Sequence, residues 1–256
     1  MIPVIPQYVT AIVILTSFAA LIAVWSVLSY AASRGGLPRA VQNGFRAASA
    51  VFLGGWLAAA FLFAPAPASL LARDRFFITP VIPAIDVTAI VLAFLILWRS
   101  STLRRVIDAA PTSVLIGVQL YRVIGAVFLV LLAQRQLPPH VALPAGWGDV
   151  TVGLAAPLVG LAVAREATGS RALAVIWNLF GLTDLVVAVG MGTGLLTPLL
   201  LPDLGRVPPA SALGVFPLIL IPTFAVPMSV ILHLLSLRAL AHRDVPVALP
   251  ALKVAR

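Results

Sequence analysis

The chain has 256 residues, of which 61% are apolar and 10% charged. A soluble domain of this length carries about 25% charged residues, so this chain has too little polar surface to cover itself in water and the bilayer is its natural solvent. It has no cysteine, which excludes a disulfide framework, a Cys-based zinc site and a thiol nucleophile. Its formal charge of +9 does not mark a nucleic-acid binder, because the basic residues are scattered between apolar spans and form no stripe.

Crossing a hydrocarbon core of about 30 Å takes roughly 17–25 residues of helix. Seven runs qualify, at 8–30, 47–64, 77–98, 112–134, 148–164, 172–192 and 213–237. The expected fold is therefore an all-α, polytopic membrane bundle of seven helices in a single domain. No Lys or Arg precedes Arg34, so the first run lacks the basic flank of a cleavable signal peptide. The third is the least regular, since Pro80 and Pro83 interrupt its start. The seventh carries Pro217, Pro222 and Pro227, a spacing that suits either packing kinks or the broken helices of transporters.

Orientation follows from the basic residues. One set of loops and the C-terminal tail hold Arg34, Arg39, Arg46, Arg99, Arg104, Arg105, Arg165, Arg171, Arg238, Arg243, Lys253 and Arg256. The opposite loops hold Arg73, Arg75, Arg135 and Arg206, and Arg122 lies inside a span. The positive-inside rule makes the richer set cytoplasmic, with the N-terminus outside and the C-terminus inside. Trp98 sits at a span end, as an interfacial aromatic should. No internal repeat is evident, although a weak inverted repeat could be hidden here.

A charge at the centre of a membrane helix costs roughly 2.5–3.5 kcal/mol on insertion scales, so each such residue is a candidate site. Asp86 falls one turn after Pro83, near an outer helix start where the helix dipole would stabilise it, and is a weaker candidate for proton transfer. Arg122 is the clearest case, near the middle of the fourth span. Gln119, Arg122 and Gly125 are spaced to share one helical face pointing into the bundle. Asp149 follows Pro144-Ala145-Gly146-Trp147-Gly148 and reads first as an N-cap, with a second role facing a vestibule above Arg122. Gly153, Ala156, Pro157 and Gly160 form a small-residue stripe for close helix packing. Asp184, at mid-depth in the sixth span with Asn178 and Gly181 near its face, is the expected partner of Arg122. His233, with Ser229 and Ser236 on its face, lies near the cytoplasmic end and reads as a satisfied histidine before a ligand or proton carrier.

Several chemistries are disfavoured. The only lysine is Lys253, in the tail, so a retinal Schiff base in the seventh span is excluded. His140, His233 and His242 fall at different depths and suit no bis-histidine haem. No His/Glu/Asp cluster has zinc-ligand spacing, and no phosphate-binding glycine motif is present. No cofactor is expected.

Three classes of function remain open. The first is a small proton-linked or anion carrier. There Arg122 and Asp184 form the central site, Gln119, Tyr121 and Asn178 supply hydrogen bonds, and the proline-rich span moves. The second is a non-catalytic receptor, assembly factor or partner subunit, in which the Arg–Asp pair locks two helices and the small-residue stripe docks a membrane partner or second copy. The third is an intramembrane enzyme or binder for a lipid or quinone, with Asp149, Asp184 or His233 moving the proton. The expected partners are the bilayer and a small anionic or lipidic ligand. Scarce Lys, absent Cys and abundant Ala, Arg and Pro point to a bacterial plasma (inner) membrane.

Overall fold

In lipid no water is available to bond exposed backbone groups, so a spanning chain closes its own hydrogen bonds as helix. The computed structural model describes residues 5–62, 74–204 and 210–242, and among these it is all-α with no strand. The long helices are α1 (Gln7–Arg34), α2 (Arg39–Leu62), α3 (Asp74–Arg99), α7 (Pro139–Ala164), α8 (Ser170–Gly192) and α10 (Val226–His242). Between α3 and α7 lie the short α4 (Ser101–Ala109) and a composite span: α5 (Thr112–Gly117), a 3₁₀ stretch (Val118–Gly125) and α6 (Ala126–Ala133). The one-turn α9 (Thr197–Leu200) follows α8.

Among the described residues six helices are long and apolar enough to cross a membrane: Gln7–Arg34, Arg39–Leu62, Thr112–Ala133, Pro139–Ala164, Ser170–Gly192 and Ile221–Ala241. α3 joins them only as part of a bent pair with α4, the two meeting at 101°. The sequence expectation of a break at Pro80 and Pro83 differs from the structure, where α3 runs through both. The bend instead falls at Ser100, whose hydroxyl accepts from Leu103 N at 3.1 Å and caps α4. Arg104 then reaches back to the carbonyls of Leu97 and Trp98, placing a cation on the C-terminus of α3.

The surface is inverted relative to a water-soluble bundle. Leu15, Leu158, Ile176 and Val186 point outward at 63–70% exposure, while Arg122, Gln119, Asn178, His233 and Ser236 are at 0–1%. That is a distribution compatible with a multi-pass membrane protein: large apolar side chains outside, polar groups within.

Two spans depart from α-helix, each for a local reason. In the fourth, residues 118–125 wind as 3₁₀, and its three residues per turn stack Gln119, Arg122 and Gly125 in one row. At the entrance to α10, Ile221–Ala225 forms a π-turn. Pro227 has no N–H to give to the carbonyl of Thr223, four residues back. Trp56 of α2 takes that place, donating Nε1 to Thr223 O at 3.0 Å. Regular helix therefore begins later than the apolar run from 213 suggests.

α7 is the central element, packed against α5, the 3₁₀ stretch, α6 and α8. A Cβ on Gly153 would lie 2.7 Å from Val123 N, and one on Gly160 2.7 Å from Ser113 O. The small-residue stripe is thus already filled by this chain's own fourth span. Its two glycines are therefore closed to a separate partner, while Pro157 faces outward.

Candidate functional site

Arg122 is carried on the 3₁₀ stretch into the space between α7, α8 and α10, where it is 1% exposed. A guanidinium offers five N–H donors in a fixed plane. Nε donates to Asp149 Oδ1 at 2.7 Å, and Nη2 to Asp184 Oδ2 at 2.5 Å. Nη1 donates to the Gly181 carbonyl at 3.3 Å and lies 2.9 Å from His233 Nε2. Four of the five donors are thereby committed to protein acceptors on three helices.

This geometry fixes the histidine. Arginine is a donor only, so Nε2 of His233 accepts and the ring proton sits on Nδ1. Nδ1 lies 2.9 Å from Asn178 Oδ1 and donates to it. Asn178 Nδ2 in turn donates to Ala174 O at 2.7 Å and to Ser236 Oγ at 3.1 Å. Trp177 packs its ring on the imidazole, with centroids 4.8 Å apart, and donates Nε1 to Val152 O at 3.2 Å. The result is one chain of hydrogen bonds from two carboxylates through Arg122 and His233 to Asn178 and Ser236.

Glycine makes the room. A Cβ on Gly125 would collide with Asp149, one on Gly148 with the Asp184 carboxylate, and one on Gly181 with the His233 ring. Asp149, Asp184 and His233 are therefore each seated against a backbone without a side chain.

The expected pair of Arg122 with Asp184 is present. Asp149 is not an N-cap: α7 starts at Pro139, so Asp149 lies well inside it and is a second carboxylate partner of Arg122. His233 is likewise not near the end of its helix but in the cluster, because α10 runs on to His242. Tyr121 is adjacent yet separate, its hydroxyl 2.7 Å from Ser229 Oγ and 3.3 Å from Ala225 O. Gln119 shares the Arg122 row but neither amide atom has a partner among the described residues. Asp86 is not at a helix start; it is buried within α3, and both its oxygens are without a partner among the described residues.

Sequence reasoning passed over Gly148 and Ser236 as members of the site. Gly148 immediately precedes Asp149, and Ser236 was placed only on the face of His233, so each had a local signal that became decisive once the helices met. A cavity of about 40 Å³ borders Asp149, with Thr193 and Pro222 in its wall. The rest of its wall is almost wholly apolar, with Phe128, Leu185 and Val189 among the lining side chains. Among the described residues no group of three or more His, Asp or Glu is placed to hold a metal ion.

Fold and site together define a class: among the described residues, an all-α bundle with several helices long and apolar enough to span a membrane and a buried arginine–carboxylate–histidine cluster. The chain belongs to the family described as a domain of unknown function (DUF8737), whose model matches residues 79–241, more than half of the chain. That stretch holds Asp86 and every residue of the cluster. No curated protein and no solved structure matches the chain.

Proposed function

We propose that this is a seven-span protein of the bacterial plasma membrane, N-terminus outside, acting as a small proton-linked carrier whose proton site is the Arg122 cluster. One observation carries the proposal: a single guanidinium is bonded to two carboxylates, Asp149 and Asp184, while its remaining contacts are a neutral imidazole and a carbonyl. With both carboxylates ionised the cluster holds one negative charge in excess inside the bundle, where an unbalanced charge is expensive. A proton that joins and leaves a carboxylate oxygen balances it. A small cavity borders Asp149, and the 3₁₀ stretch and π-turn are the two places where a span can rewind. Arg122 spends its donors on protein acceptors, which favours a proton over an anionic substrate as the species taken up here.

A second proposal, a bundle lock without transport, is favoured by the glycine seats and the near-complete satisfaction of Arg122. Proteoliposomes with an entrapped pH dye distinguish the two. A carrier acidifies or alkalinises the lumen when a pH gradient is imposed, and Asp184→Asn removes the flux while the protein still reconstitutes. A wild-type protein that moves no protons under any gradient, with or without small-molecule candidates added, leaves the lock.

A further inference from the structure

A carboxyl group inside a membrane bundle persists when something balances it: a cationic side chain, a metal ion, a set of hydrogen-bond donors, or a proton. Asp86 of α3 is 6% exposed and lacks the first three among the described residues. Neither of its oxygens has a hydrogen-bond partner. The ion pairs of Arg122 and Arg238 go to Asp149, Asp184 and Asp108. No group of three or more His, Asp or Glu is placed to hold a metal ion.

The packing of α3 shows what surrounds this residue. The helix packs against α4, α10, the π-turn and the 3₁₀ turn Ser211–Gly214. Arg238 of α10 reaches Asp108 of α4 at 2.5 Å. The far end of α10 therefore lies beside α4, where α3 ends, and α3 and α10 run parallel. Asp86 falls in the first half of α3, about two turns before Ala93, which lines an apolar crevice together with Met228 and Ile231 of α10. That sets Asp86 towards the π-turn that opens α10. Neither the π-turn nor Ser211–Gly214 carries an ionisable side chain. Thr223 is already committed, its hydroxyl donating to Ile219 O at 2.6 Å and its carbonyl accepting from Trp56. The charged and titratable groups of the packed helices lie further along. On α10, His233 is bonded to Arg122 and Asn178, Arg238 to Asp108, and His242 is the last residue. On α4, Arg104 bonds the carbonyls of Leu97 and Trp98, and Arg105 is exposed.

We propose that Asp86 is a second proton-binding site, a carboxylic acid separate from the Arg122 cluster and open to modification by a lipophilic carbodiimide. An unbalanced anion is expensive at such a position, and of the four balancing species only the proton needs neither a partner side chain nor added room. The site requires only that α3 lie in the bundle. It does not rest on the carrier reading, so either proposal can fail without the other.

The test is labelling of the full chain in phosphatidylcholine vesicles with dicyclohexylcarbodiimide, followed by peptide mapping. The reagent takes the acid form: the carboxyl proton passes to a carbodiimide nitrogen and the carboxylate oxygen bonds to the central carbon. Acyl transfer to nitrogen then leaves a stable N-acylurea, with no leaving group. Of the eight carboxylic side chains, Asp86 should carry the label. Asp86→Asn should lose it, and Asp86→Glu should regain it, which separates a lost acid from lost folding. Asp149→Asn should leave the label at Asp86 unchanged. The infrared difference between wild type and Asp86→Asn reads the protonation state whether or not the reagent gains access. Loss of an acid carbonyl band that shifts in D2O is the expected result. Loss of ionised carboxylate bands instead, or labelling that is undiminished in Asp86→Asn, overturns the proposal.

Discussion

Gly148 and Asp184 stand so close that a single added methyl on the glycine would occupy the space of the carboxylate. The contact joins α7 to α8 at the point where Asp184 receives Arg122 Nη2. Gly148→Ala is therefore a test of the ion pair that touches neither charge. The carboxylate must swing away and leave Arg122 short of an acceptor, and breaking a buried pair costs about 3–5 kcal/mol. Thermal melting in mild detergent should show a large drop. Gly54→Ala is the control: nothing lies within 4 Å of a Cβ there, and in a helix interior the change should be neutral or stabilising by about 0.5–1 kcal/mol.

His233 is held at both ring nitrogens, by Arg122 and by Asn178. His233→Phe would leave Asn178 Oδ1 and one Arg122 donor unbonded in the core. A loss of roughly 1–3 kcal/mol per orphaned group is expected, more for the charged one. Asn178→Asp is a sharper variant, since it places a carboxylate opposite Nδ1 without changing shape. Nitrogen-15 shifts of the imidazole should report an Nδ1–H tautomer in the wild type; an Nε2–H signal would contradict the assigned direction of the hydrogen-bond chain.

Trp56 supplies the donor that Pro227 withholds from Thr223 O. Trp56→Phe retains the edge contact with the Phe224 ring, whose centroid lies 5.4 Å away, but removes the N–H. The buried carbonyl then costs about 1–3 kcal/mol. Amide exchange should speed up selectively at the start of α10, while α7 and α8 keep their protection.

Asp86 and Gln119 invite the opposite experiment. Both are buried and both lack partners among the described residues. Replacing an unsatisfied buried polar group by an apolar one of similar size relieves a penalty of about 1–3 kcal/mol. Asp86→Leu and Gln119→Leu should each raise the melting temperature. A fall in either case would show that the side chain has a partner in the working protein.

Much of this was legible in the sequence. The apolar runs locate the helices within a few residues where polar flanks are short, as with 172–192 against Ser170–Gly192. They fail where a helix continues into polar or proline-bearing sequence. α2 begins at Arg39 rather than 47 because Arg39, Gln42, Asn43 and Arg46 are helical but not apolar. α7 begins at Pro139 because a proline in the first turn costs no hydrogen bond, and the Gly-rich segment before Asp149 is helix, not turn. That one displaced boundary turned a central carboxylate into an apparent cap. Arg122 and Asp184 were recognisable as partners because both were far from any plausible end. His233 is not, since the apolar run ends at 237 while α10 extends to His242.

The cluster holds one carboxylate more than its arginine requires, and Asp149→Asn tests that directly when flux and stability are read on the same preparation. If the surplus charge is the proton site, the neutral amide still accepts from Arg122 Nε. The variant should then melt within about 1 kcal/mol of the wild type, the expected scale for one retained hydrogen bond, and move no protons in proteoliposomes. If the cluster is only a lock, the variant should lose several kcal/mol, on the scale of a broken buried pair, and the wild type should show no proton flux to lose.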